Sequence, residues 1–135
     1  MTDGVSSVYM AARFERRAEL NEYRLDLKRA GIEVTSHWLT VNPPAPVHER
    51  TDDDWRTLAL TDIEDIRRAD AFVLFAEGAR DGGGGRHTEF GMALAWEKRM
   101  IVVGDAEHLF HRMPDVTVVD DWTAAQSLLI GSLVS

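Results

Sequence analysis

Short apolar runs alternate with stretches of helical period along the whole chain, and this alternation constrains the fold more than any other feature. Val5 to Ala11, Ile32 to Ser36, Ala71 to Ala76, Met100 to Gly104 and Val116 to Val119 read as strands. Between them, Phe14 to Ala30 carries Leu20, Tyr23, Leu27 and Ala30 at helical spacing, and Gly31 follows as a stop. A second helix runs through Ile63, Ile66 and Ala69 and starts as early as Trp55. His87 to Lys98 and Trp122 to Leu133 supply two more. Strands that are apolar on both faces belong in a parallel sheet covered by helices on each side. Right-handed crossovers then predict a flavodoxin-like or Rossmann-like α/β domain, five strands in the order 2-1-3-4-5. In such a sheet, ligands bind outside the carboxyl ends of strands one and three.

The 135 residues fit one domain, 1–135, with one core. A net charge of −8 argues against a polyanion partner held on a broad basic face. It leaves room for a single nucleotide, which needs only local arginines or amides. With no cysteine, disulfide and thiolate chemistry are excluded. No apolar run approaches the ~18 residues of a membrane span. The start Met1-Thr2-Asp3-Gly4 lacks the features of a signal peptide, so a cytoplasmic location is expected.

Residues 39–54 break the alternation. Pro43, Pro44 and Pro46 forbid helix, and Asp52-Asp53-Asp54 reads as solvated, so a long loop is expected. Thr61 and Glu64 have the spacing of a capping box, with Asp62 as a first-turn acid, and Asp70 is placed to cap or end the same helix.

The densest signal lies after the third strand, in Gly82-Gly83-Gly84-Gly85-Arg86-His87-Thr88-Glu89-Phe90-Gly91. A strand, a glycine-rich turn and a helix start form a frequent anion-binding arrangement, because side-chain-free residues let a ligand approach the backbone. Glu89 falls in the expected first turn of that helix, where free amides and the helix dipole favour an ionised carboxylate. Such a carboxylate can act as a nucleophile, and the same position is equally that of an ordinary first-turn acid. The run is neither a triphosphate P-loop nor a dinucleotide fingerprint. His87, His108 and His111 match no established zinc spacing, so no metal and no cofactor are expected.

Three segments taken in order resemble the nucleoside 2-deoxyribosyltransferase superfamily, which includes the deoxynucleoside 5'-monophosphate N-glycosidases. They are Val8-Tyr9-Met10-Ala11-Ala12-Arg13-Phe14, the helix Asp62-Ile63-Glu64-Asp65-Ile66-Arg67-Arg68-Ala69-Asp70, and Gly85-Arg86-His87-Thr88-Glu89-Phe90-Gly91-Met92-Ala93-Leu94-Ala95. Each is short, and the ordered set spans about residues 5–120. The resemblance implies that Glu89 is the nucleophile toward C1' of a sugar. It implies that Asp62 assists proton transfer or orientation and that Tyr9 holds the nucleophile. Gly82, Gly83, Gly84, Gly85 and Arg86 occupy the place where monophosphate-specific members bind the 5'-phosphate. Gly83 stands where some transferases carry an Asp that binds a free 5'-hydroxyl, which tilts the expectation toward a nucleotide. Arg13 and His87 lie inside the matching segments and are further candidate contacts. Members are dimers or larger, with part of each site supplied by a neighbour. The segment 107–114, with Phe110 and His111, lies where that contribution is expected. Trp38 and Trp55 flank the long loop and are candidates for stacking on a base.

The expected activity is therefore cleavage of the N-glycosidic bond of a nucleotide or nucleoside, by hydrolysis or by transfer of the deoxyribosyl group to another base. The chemistry is coherent, since a carboxylate below the sugar stabilises and traps positive charge at C1'. A non-catalytic nucleotide-binding module and an NAD-type glycohydrolase are the alternatives.

Overall fold

The computed structural model describes residues 4–77 and 84–131. Five parallel strands form one sheet in the order β2-β1-β3-β4-β5. They are β1 (Ser7–Ala11), β2 (Glu33–Val34), β3 (Ala71–Phe75), β4 (Arg99–Val103) and β5 (Val116–Val119). Four helices connect and cover them: α1 (Arg17–Arg29), α2 (Asp52–Arg68), α3 (Gly84–Ala95) and α4 (Trp122–Ile130). This is the architecture expected from the alternation.

The pleat divides each apolar strand between two cores. Val8, Met10, Val73, Phe75, Ile101 and Val103 pack with Leu20 and Leu27 of α1 and Ala125 and Leu129 of α4. Tyr9, Ala11, Phe72, Leu74, Met100 and Val102 face the other way, onto Ile66 of α2 and Phe90 and Ala93 of α3. Because side chains alternate strictly along a strand, Tyr9 must share its face with α2 and α3.

Several element ends differ from the sequence reading. α2 begins nine residues before the expected Thr61 cap. Its capping box is Thr51 with Asp54: the Thr51 hydroxyl accepts the Asp54 N–H at 3.1 Å, and the Asp54 carboxylate accepts the Thr51 N–H at 3.1 Å. The acidic run that read as solvated loop is the first turn of a helix, where the macrodipole stabilises it. Thr61, Asp62 and Glu64 therefore lie mid-helix, and Asp62 is not a cap. Asp70 does not cap α2 either; its carboxylate accepts the Ser6 N–H at 2.9 Å. β2 keeps only two paired residues, and beyond them the Thr35 and Ser36 hydroxyls bond to backbone. Thr35 Oγ1 donates to the Asp65 carbonyl at 2.7 Å, and Ser36 Oγ accepts the Met10 N–H at 2.8 Å.

α3 starts at Gly84, three residues before the expected His87. It ends at Ala95 and closes through Glu97 in the left-handed region, at φ 59°. No helix among the described residues is long and apolar enough to cross a membrane.

Candidate active site

Tyr9 sits in the middle of β1 with no solvent exposure, its ring stacked on Phe72 at 5.5 Å. Phe72 in turn holds Phe90 edge-on at 6.0 Å, which pins α3 against the sheet. The residue beside Phe90 is Glu89, and the Tyr9 hydroxyl donates to Glu89 Oε2 at 2.6 Å. Asp62, three turns into α2, reaches the same point, and the Asp62 and Glu89 carboxyls hydrogen-bond to each other. The three residues marked by the resemblance therefore meet at one place.

The electrostatics differ from the expectation for Glu89. Free helix amides belong to the first turn, and Glu89 is the sixth residue of α3. Burial instead pushes its carboxyl up to about 8, helped by the Asp62 charge and opposed by the Tyr9 hydrogen bond. Burial likewise raises Asp62 to about 6. Near neutral pH the pair holds one proton between two carboxyls. Glu89 has the higher proton affinity, so it is the donor and Asp62 the acceptor. Tyr9 is raised well above its usual range, by burial first and then by Glu89 and Asp62, and stays a donor.

Asp65 is a residue whose role the sequence reading missed. It is 2% exposed and lies one turn beyond Asp62 on α2. Its carboxylate accepts the His37 N–H at 2.8 Å and pairs with His37 Nδ1 at 2.7 Å. Its charge adds to the upward shifts of Tyr9, Asp62 and Glu89. The i, i+3 spacing from Asp62 was the available signal, since it places both acids on one helix face.

A cavity of about 390 Å³ opens over the dyad, outside the carboxyl end of β1 and beside the start of α3. Trp38 and Trp55 line it. Trp38 donates its indole N–H to the Met10 carbonyl at 2.9 Å, which fixes the ring. Phe14 lies 6.4 Å from it, centroid to centroid, and is exposed. Arg50 also lines the cavity, with its guanidinium 4.7 Å above the Trp55 ring and its Nε donating to the Ala45 carbonyl. Nothing in the loop sequence distinguished Arg50 from an ordinary surface cation.

The remaining candidates are distributed more widely. Gly85 and Arg86 line the cavity. A Cβ built at Gly84 or Gly85 meets nothing within 4 Å, so both positions border open space. The Arg86 side chain is buried and forms an ion pair with Glu107 at 2.9 Å. Arg13 pairs with Glu15 at 3.6 Å and does not line the cavity. His87 and Phe110 line a different cleft, of about 610 Å³, on another face of α3, and His111 is wholly buried beside it. None of these three faces the dyad within one chain. Gly82 and Gly83 lie outside the described residues.

No protein-family model matches the chain, and no curated protein matches its sequence. Solved structures do match its fold. A 2-deoxyribosyltransferase from the psychrotolerant bacterium Bacillus psychrosaccharolyticus superposes with a TM-score of 0.70 at 18% identity, over 90% of each chain. The CMP N-glycosidase BcmB of Clostridium botulinum superposes with a TM-score of 0.59 at 21% identity, over 87% of this chain and 92% of that one. The fold is thus the one shared by a deoxyribosyl-transferring enzyme and an N-glycosidase, as the motif resemblance implied.

Proposed function

We propose that this chain belongs to the nucleoside 2-deoxyribosyltransferase superfamily and cleaves the N-glycosidic bond of a nucleotide or nucleoside. The observation that carries the reading is the meeting of Glu89, Asp62 and Tyr9 at the floor of one aromatic-lined cavity, with the Tyr9 hydroxyl donating to Glu89. The activities of the two structural neighbours, a 2-deoxyribosyltransferase and a CMP N-glycosidase, support it.

Binding of substrate shifts the shared proton from Glu89 to Asp62 along their hydrogen bond. A Glu89 oxygen then forms a bond to C1' as the C1'–N bond breaks. The bonding pair goes to the base nitrogen, which takes the proton from Asp62. In the second half, water or a second base attacks C1' and gives its proton to Asp62, and Glu89 leaves as a carboxylate. Tyr9 donates to Glu89 Oε2 throughout and keeps the other oxygen aimed at the sugar. Trp38, Phe14 and Trp55 offer faces for a base. Gly84 and Gly85 at the start of α3, with Gly83 in place of an Asp, favour a 5'-phosphate over a free hydroxyl. Phe110 lies in a separate cleft, so any part it plays at a dyad is at that of a neighbouring copy in a homo-oligomer.

Incubating the purified protein with a panel of nucleosides and monophosphates, and following free base by chromatography, tests the reading. Adding a second base separates transfer from hydrolysis. Base release by Glu89→Ala at the parent rate would overturn the nucleophile assignment. Tight nucleotide binding with no base release would favour a binding module, and nicotinamide release an NAD-type glycohydrolase.

A further inference from the structure

We infer that His87, His108 and His111 form a binding site for a divalent first-row transition ion, with Zn²⁺ the leading candidate, beside α3 and apart from the cavity that holds Glu89. The nearest of their ring nitrogens all lie within 4.8 Å of one another, and no other such group occurs among the described residues. His108 Nε2 is 3.1 Å from His87 Nδ1. Two nitrogens bound to one tetrahedral zinc at ~2.0–2.1 Å stand about 3.3 Å apart. The first two nitrogens are therefore already near coordination spacing, and the proton that joins them in a hydrogen bond passes to the other nitrogen of its ring, His108 Nδ1 or His87 Nε2, when both ligate. Drawing in the third asks for about 1.5 Å of movement shared among three side chains, the difference between 4.8 Å and that edge.

Burial is the second observation. His111 has no solvent exposure, and its Nε2 is buried without a hydrogen-bond partner. Buried polar atoms are normally satisfied, and a group left over asks for an explanation. His111 Nδ1 accepts the Glu107 N–H at 3.0 Å, so in the metal-free chain the ring proton sits on Nε2. Ligation through Nε2 moves that proton to Nδ1, turns the acceptor into a donor and releases the Glu107 amide. One hydrogen bond is exchanged for one metal bond, and the exchange supplies a signature of its own.

The donor set selects the ion. Three imidazoles with no oxygen ligand suit Zn²⁺, Co²⁺, Ni²⁺ or Cu²⁺ and disfavour Mg²⁺ and Ca²⁺. Arg86 and Glu107, paired at 2.9 Å beside the cluster, offset each other's charge, so a cation meets no net repulsion from them. His87 and His108 also line the cleft of about 610 Å³, which leaves a fourth coordination position for water or a bound group. The ion would tie α3, two residues from Glu89, to the turn Leu109–Arg112.

The untagged full chain, stripped with chelator, is titrated with ZnCl₂ by calorimetry and with CoCl₂ in a visible spectrometer. One ion per chain is expected, with micromolar or tighter affinity, tetrahedral Co²⁺ absorption, and a higher Tm with Zn²⁺ but not Mg²⁺. The Glu107 amide resonance is expected to shift on Zn²⁺ addition. His87→Ala and His108→Ala should each weaken binding by at least about a hundredfold, beyond the loss typical of outer-shell partners. The exposed His48→Ala should bind as the parent does. Absence of stoichiometric binding at 100-micromolar order Zn²⁺, or parent-like binding by both cluster variants, overturns the inference. The Co²⁺ spectrum and amide shift need no variant, so a misfolded substitution leaves the test intact.

Discussion

Glu89→Gln should stabilise this protein at pH 8 and leave its stability unchanged at pH 4. Glutamine keeps the volume of glutamate, can accept from Tyr9 and can donate to Asp62, as the protonated glutamate does. It cannot ionise. The Glu89 carboxyl is raised from 4.5 to about 8 on folding. A group whose folded pKa is raised contributes stability that is fully present below the unfolded pKa. That stability is lost as pH climbs through the folded value. The window here is 4.5 to about 8. At ~1.4 kcal/mol per unit, full loss is on the order of 5 kcal/mol, and relaxation around a partly accessible, coupled pair reduces it. Urea denaturation at pH 4, 6 and 8 measures the difference without any knowledge of the substrate. The expected gain of the variant over the parent is near zero at pH 4 and about 2–5 kcal/mol at pH 8. A difference that stays flat across this range, or a variant weaker than the parent at pH 8, would refute the shared-proton description. A stabilised but inactive variant is the usual signature of a site that holds function against stability.

The pH dependence of base release should be bell-shaped, with limbs near 6 and 8, because both the doubly protonated and doubly ionised pairs lack one partner. Asp62→Asn removes the proton donor, so it should abolish the alkaline limb, leave a single acid limb set by ionisation of Glu89, and lower the rate about 10²–10⁴-fold, read by chromatography of free base across pH. Tyr9→Phe removes the donor that holds Glu89 down, so the alkaline limb of the same profile, which Glu89 sets at about 8, should move to higher pH. Thr51→Ala should cost about 1 kcal/mol in urea denaturation through loss of the α2 cap, while Thr61→Ala, which removes no cap, should cost less.

Much of the candidate site was legible because it rests on local sequence. Glu89 stands out as a carboxylate near a glycine-rich helix start, whereas Asp62 and Tyr9 read by themselves as a first-turn acid and a core aromatic, and only the resemblance of their segments to the deoxyribosyltransferases marks them. The start of α2 was not legible, because Asp52-Asp53-Asp54 is as compatible with a solvated loop as with a first turn. Only the reciprocal bonds of Thr51 and Asp54 decide between them. The role of Arg50 depends on a ring five residues away, and that of Asp65 on a histidine 28 residues earlier in the chain.

The sequence by itself determined the sheet. Apolar strands alternating with amphipathic helices can bury both strand faces only in a covered parallel arrangement, and crossover handedness orders the strands. It also marked the three residues of the dyad and its donor. Only the tertiary structure decided how those residues share charge. The pleat turned Tyr9 toward α2 and α3, Phe90 fixed α3 on the sheet, and the two carboxyls came within hydrogen-bond reach in a buried site. Proton affinity depends on burial and on distance between groups far apart in sequence, and spacing along the chain encodes neither. The same reason explains the histidines, which match no motif at 87, 108 and 111 and yet converge beside α3.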